Sequence, residues 1–238
     1  MGASGGVTRN TLRQQIAGAL RDEVLAGRLR PRVEFTVKQI AEQYGVSATP
    51  VREALFDLSA QGLLESDQHR GFRVREFTVA DYRSMVEARA LVIDGVFRRI
   101  FDGTGRAAEL VGAHRAALVS VRRRAAEAAR AARGGDLDIL IGYDLRFWRE
   151  LGAVAGNAYL TDFLHRLRVQ AWVFSVPYLR GDADVRDWLW SGHQELVEAI
   201  TAADGDAVRA VLDAYSAHGF DWADRLAAGN PPHPGHGG

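Results

Sequence analysis

The chain has 238 residues and a mass of 26.1 kDa, enough for one large domain or two small ones. Its 30 Lys and Arg balance its 30 Asp and Glu, which excludes a global field drawing it to nucleic acid or membrane. It has no cysteine, which excludes a disulfide framework, a thiolate zinc site and a cysteine nucleophile together. Nowhere do about 18 apolar residues follow one another, so no bilayer-spanning helix is expected. Met1–Asn10 is Gly-rich and lacks the apolar run of a signal peptide. A composition of 47% hydrophobic and 25% charged residues is that of a globular protein, and cytoplasmic localisation is the expectation.

In chain order, residues 1–7 and 229–238 are rich in Gly and Pro and are predicted to be disordered tails, with His233 and His236 solvated. Residues 8–76 have short elements and closely spaced turns. Leu12, Ile16, Leu20, Val24 and Leu25 recur at helical spacing until Gly27. Thr36 starts a second helix ended by Gly45. A third helix has Thr49 as its predicted N-cap and Pro50 in its first turn. Val51, Ala54, Leu55 and Leu58 form its apolar stripe, while Arg52, Phe56 and Ser59 point away from it. Leu63–Glu65 and Phe72–Arg75 read as two strands around His69-Arg70-Gly71.

Three short helices followed by a hairpin predict a winged helix-turn-helix. That architecture presents the start of its third helix to base edges and uses N–H groups and hydroxyls for phosphates. Lys38, Ser47, Thr49, Arg52, Arg70 and Gly71 are the candidate DNA-binding residues. The segment has only a slight excess of cations, so any nucleic-acid surface must be a local patch.

From Thr78 the pattern changes to long helices, with Thr78 and Asp81 marking the first start. Breaks at Asp102–Gly105, Gly134-Gly135, Gly156-Asn157, Pro177–Asp182 and Asp204-Gly205 predict about six helices of roughly 18–25 residues over 78–228. The fold class is therefore mainly α: a winged helix-turn-helix followed by an antiparallel all-α bundle. Arg122-Arg123-Arg124, Arg130 and Arg133 read as a solvated helix face, and Trp172, Phe174, Trp188, Trp190 and Trp222 as helix-contact residues.

The run Val46-Ser47-Ala48-Thr49-Pro50-Val51-Arg52-Glu53-Ala54-Leu55, with Leu58, Gly62-Leu63-Leu64, Gly71-Phe72 and the earlier Gly27, Leu29 and Pro31, closely resembles the signature of GntR-superfamily transcriptional regulators. The family commonly has arginine where this chain has Ala48. The resemblance implies a DNA contact there in relatives, so its loss should cost about 1–3 kcal/mol of discrimination. Downstream, Glu87-Ala88-Arg89, Asp144-Leu145-Arg146-Phe147, Gly156–Leu160 and His193–Ile200 resemble the ligand-sensing (FCD) domain of the FadR subgroup.

Many such domains bind a divalent metal through an aspartate, a histidine four residues later and two further histidines. Asp144 and His193 fill two of those places, but Trp148 and Tyr215 stand in the others. The expectation is no cofactor, with Asp144 and His193 as a weak metal alternative helped by His165 or His218. Arg89, Asp144, Trp148, His193 and Tyr215 are then the candidate ligand-binding residues. Ile93 stands where relatives often carry glutamate.

These features imply a homodimeric, ligand-responsive regulator, a repressor in its commoner form. Its partners would be a palindromic double-stranded operator and a small organic acid, with no membrane partner. The competing classes are an all-α small-molecule enzyme using Asp144, His193 and Tyr215, and a ligand-sensing scaffold that does not bind DNA. No nucleophile–base pair or Gly-rich phosphate loop supports the enzyme.

Overall fold

The computed structural model describes residues 4–67 and 70–229. His69, His233, His236 and the expected tail segments 1–3 and 230–238 lie outside them. The chain divides between Phe77 and Thr78 into two units.

In the first unit, α1 (Ser4–Leu25), α2 (Val37–Tyr44) and α3 (Ala48–Ala60) pack with a small sheet of β1 (Glu34–Phe35), β2 (Leu64–Asp67) and β3 (Gly71–Val74). The first helix begins at Ser4, so Ser4–Val7 are helical and do not belong to a tail. Thr36 closes a capping box with Gln39 at the start of α2. Gly45, at φ 64°, ends it in the left-handed conformation, where its N–H reaches the carbonyls of Ala41 and Glu42. That tight turn delivers the chain directly to α3. Ser47, not Thr49, holds the N-cap position, and its hydroxyl makes no capping bond. Thr49 and Pro50 are the second and third helical residues. Proline is tolerated there because the first four helical N–H groups lack partners in any case.

The apolar stripe works as expected: Val51, Ala54, Leu55 and Leu58 are buried. The strands are antiparallel in the order β1-β3-β2, with Leu64 opposite Val74 and Phe35 opposite Phe72. Strand β1 was not anticipated, because two residues are too short to show an alternation. Gly71 is required where β3 passes β1. Its φ is 101°, and a Cβ there would stand 2.5 Å from the Phe35 carbonyl oxygen.

The second unit is all-helical among the described residues: α4 (Val79–Ile100), α5 (Arg106–Ala113), α6 (Arg115–Gly134), α7 (Leu137–Val154), α8 (Ala158–Leu179), α9 (His193–Thr201) and α10 (Gly205–Ala228), with one 3-10 turn at Val185–Trp188. Seven α-helices replace the expected six. The added break falls at His114, two residues after Gly112; a ring nitrogen of His114 lies 3.0 Å from the Leu110 carbonyl at the end of α5. Pro177 does not break its helix but sits inside α8, two residues before its end.

Thr78 and Asp81 form a capping box that starts α4. Asp136, Asn157 and Asp204 cap α7, α8 and α10 through their side chains. Alanines 125, 128, 129, 131 and 132 are buried on α6, so its backbone can approach its neighbours closely. A core of Leu118, Val121, Phe147, Val154, Leu196, Val197 and Val208 fixes the bundle around α7.

Gly71→Ala is expected to destabilise the first unit by about 1–3 kcal/mol, the cost of a strained backbone conformation. Urea denaturation of the full chain checks this. An unchanged midpoint for that unit would contradict the close β1–β3 approach.

Candidate functional site

The exposed face of α3 carries Ser47, Ala48, Thr49, Arg52 and Phe56. These residues recur at helical spacing opposite the buried stripe, so packing the stripe presents them outward. Several cations of this unit are engaged: Arg73 with Glu65, Arg32 with Glu76, Lys38 with Glu42 at 3.8 Å, and Arg70 with Glu34 at 3.6 Å. Arg52 has no ion pair or hydrogen bond among the described residues. A groove formed by Thr36, Lys38, Gly45, Ala48 and Arg52 follows the turn between α2 and α3. The wing residue Arg70 is exposed, and its backbone N–H donates to Asp67. Phe56 is 54% exposed, and its ring meets Phe72 edge-on at 5.5 Å. Two turns of helix thus display hydroxyls, a methyl, a free guanidinium and an aromatic ring. These are groups that hydrogen-bond phosphates and base edges and touch thymine methyls.

In the second unit the five candidate ligand residues converge. Asp144 projects from α7, Arg89 from α4, Tyr215 from α10, and His193 from the first position of α9. Trp148 lies one turn beyond Asp144, so its indole N–H folds back onto the Asp144 carboxylate at 2.9 Å. His193 faces the same oxygen at 3.0 Å, its Nε2–H donating. Its Nδ1 is buried without a partner.

Two residues that sequence reasoning did not assign to the site complete it, both from α8 at i and i+4. Trp172 donates its indole N–H to the other Asp144 oxygen at 2.8 Å. The Arg168 guanidinium lies 3.8 Å from that oxygen and donates to the Tyr215 hydroxyl at 3.0 Å. The signal for Arg168 was available: an arginine between Leu167 and Val169 in an apolar helix is buried only when something pairs with it.

Aromatic rings wall this cluster. Trp148 stacks on Tyr215 at 4.9 Å, and Trp190 packs against Trp148, Tyr215 and His193. Arg168 lies over the Trp148 ring at 4.2 Å and Arg89 over the Tyr215 ring at 4.1 Å. Burial pushes the Asp144 carboxyl up. The His193 hydrogen bond, the Arg168 charge and the Trp172 N–H outweigh it and hold the group below the usual carboxylate range.

This donor set does not fit a divalent ion. The Asp144 oxygens already accept N–H groups, two ligand places hold rings, and no three His, Asp or Glu residues cluster suitably among the described residues. His165 lines a different void. His218 donates to the Trp188 carbonyl, and burial pushes its imidazole below the ordinary histidine value.

Beside the cluster lies a cavity of about 70 Å³ lined by Arg89, Arg168, Tyr82, Ser175, His218 and Gly219. Burial pushes the Tyr82 phenol up to about 12, so it remains a neutral donor. Gly219 makes room for Arg89, since a Cβ there would stand 3.1 Å from its Nη2. Arg89 is 5% exposed, its Nε has no partner, and no carboxylate among the described residues pairs with it. Of the two buried guanidiniums, only Arg168 therefore lies beside the buried carboxylate.

Asp144→Asn removes the anion that all these donors hold, and is expected to destabilise the helical unit by about 3–5 kcal/mol in denaturant unfolding. The Asp144 carboxyl titrates lower in the folded than in the unfolded chain. Its stabilisation is thus complete above about pH 4 and is lost as pH falls through the folded value. Wild type should show that acid loss and the variant should not.

Comparison with known proteins bears on both units. Residues 12–74 match bacterial regulatory proteins of the gntR family, and residues 104–218 match the FCD domain. The chain is 29% identical over 207 residues to a "probable D-xylose utilization operon transcriptional repressor" of Paenarthrobacter nicotinovorans, covering 87% of this chain and 86% of that one. It is 25% identical to the transcriptional repressor RspR of Escherichia coli K12, over 84% and 83% of the two chains. The fold is shared with E. coli McbR/YncC, at a TM-score of 0.69 and 21% identity over 91% of this chain and 98% of that one. No described helix is long and apolar enough to cross a membrane. The chain belongs to the GntR family of DNA-binding transcriptional regulators, in the FadR subgroup whose helical FCD domain senses ligands, and is not an enzyme.

Proposed function

We propose that this regulator acts in the cytoplasm as a homodimer on a palindromic operator, and that a small carboxylate in the cavity beside Arg89 relieves its repression without a bound metal. A two-fold dimer suits two-fold DNA, each half-site meeting one α3. Ser47, Thr49 and Arg52 hold phosphate along the start of that helix, and Arg70 and Gly71 bring the wing to the minor groove. Lys38 adds a backbone contact. Ala48, where relatives carry arginine, narrows the contact set to one guanidinium on this face.

The observation that carries the ligand reading is Arg89. A buried guanidinium with no anionic partner is costly, and a carboxylate entering the cavity removes that cost. Arg168 adjoins the same cavity, and Ser175 and Tyr82 supply hydroxyls. Asp144 and Tyr215 line it, with Trp148 and His193 packed against them, and their polar atoms are largely spent on one another and on Arg168. The pairing makes control possible only if the carboxylate binds one arrangement of the dimer more tightly than the other.

Duplexes selected from a random pool, titrated by fluorescence anisotropy across salt, test both halves. Arg52→Ala should weaken binding and lower the salt slope by about one. Arg89→Gln should leave operator affinity intact while abolishing the release produced by acetate, glycolate or pyruvate. Unchanged affinity and slope in the first variant, or full release in the second, would overturn the corresponding assignment.

A further inference from the structure

A larger void in the helical unit has no part in the reading above. It measures about 120 Å³ and shares only Arg168 with the carboxylate cavity. Trp148 lines this void and Tyr215 the other, so the stacked pair stands between them. Its walls are mainly apolar, with aliphatic side chains such as Ile100, Leu151, Leu164 and Val208 beside the rings of Phe97 and Trp148, and Arg149 and His165 also on the lining.

Polar groups on the lining are turned to other partners. Thr161 donates to the Asn157 carbonyl, the Asn157 side chain accepts from the Leu160 N–H, and Arg99 donates to the Ala155 carbonyl. Arg168 presents its guanidinium to Tyr215 and Asp144 and lies over the Trp148 ring.

Protein interiors leave few voids larger than one water molecule. Water settles in a void only where it finds about two to four polar partners. This void offers few, and it approaches the size of the engineered cavity of about 150 Å³, lined by aliphatic and aromatic side chains, that stays dry and takes up benzene or xenon. The protein's own side chains do not close it. Its floor of Val154, Leu196 and Val208 is buried too deeply for the face of another helix to reach.

We propose that the helical domain has a second ligand site here, separate from the carboxylate cavity, which takes a small uncharged apolar molecule of about the size of one aromatic ring. Trp148 joins the two sites. Its ring forms a wall of this void, and its N–H holds Asp144.

Thermal unfolding and isothermal titration of the full chain with benzene test the proposal. Benzene should bind wild type and raise the midpoint of the helical unit by several degrees. Leu164→Phe, or Val208→Phe if the first variant does not fold, fills the void and should abolish both effects. Arg89→Gln alters the other cavity and should leave both effects in place. No binding to wild type, binding that persists with the void filled, or binding lost in Arg89→Gln would overturn it.

Discussion

The helical unit is organised around one buried carboxylate. Asp144 takes N–H groups from Trp148, Trp172 and His193 and lies beside Arg168, so helices α7, α8 and α9 are tied to a single side chain. Desolvating a carboxylate is expensive, and only a nearly complete set of charge-assisted hydrogen bonds offsets it. Once that set is in place, the positions of the rings follow. Trp148 must lie back along α7 to reach Asp144, Tyr215 stacks on it, and Arg168 lies over its ring.

The same cluster explains why a charge remains over. Asp144 balances one guanidinium, and Arg168 is the nearer. Arg89 is left with the face of Tyr215, and ring electrons stabilise a cation less than a carboxylate does when both are buried. Gly219 keeps the space beside Arg89 open. The unit is therefore stable enough to fold around Asp144 while still able to accept an anion. That combination suits a sensor: its ligand completes an electrostatic arrangement that folding leaves unfinished.

The winged helix-turn-helix was legible in the sequence because its determinants are local. Gly45, Ser47, Pro50 and the Val51–Leu58 stripe each act over one turn of helix. Strand β1 was not legible, because it exists only through pairing with β3. In the bundle, long helices were visible but the His114 break was not, since the lone Gly112 before it is a weak breaker inside a helical pattern. Pro177 misled in the other direction: α8 carries on two residues past it despite the N–H that proline lacks. At the buried site, Asp144, Trp148, His193, Tyr215 and Arg89 could be named from resemblance and helical spacing. Arg168 was marked as a cation in an apolar stretch, but its partner and that of Trp172 lie on another helix, 24 and 28 residues away in sequence, so neither could be matched to Asp144. Phe56 could be placed off the apolar stripe, but its contact with Phe72 depends on where the wing folds.

The central claim is that N–H groups and rings occupy the place where related domains hold a divalent ion. Native mass spectrometry of the untagged protein, after incubation with zinc or nickel and buffer exchange, tests it most directly. The account predicts a mass without a retained metal ion, bare or carrying an organic ligand. One ion held per chain, released by a chelator and lost in Asp144→Asn, would contradict it.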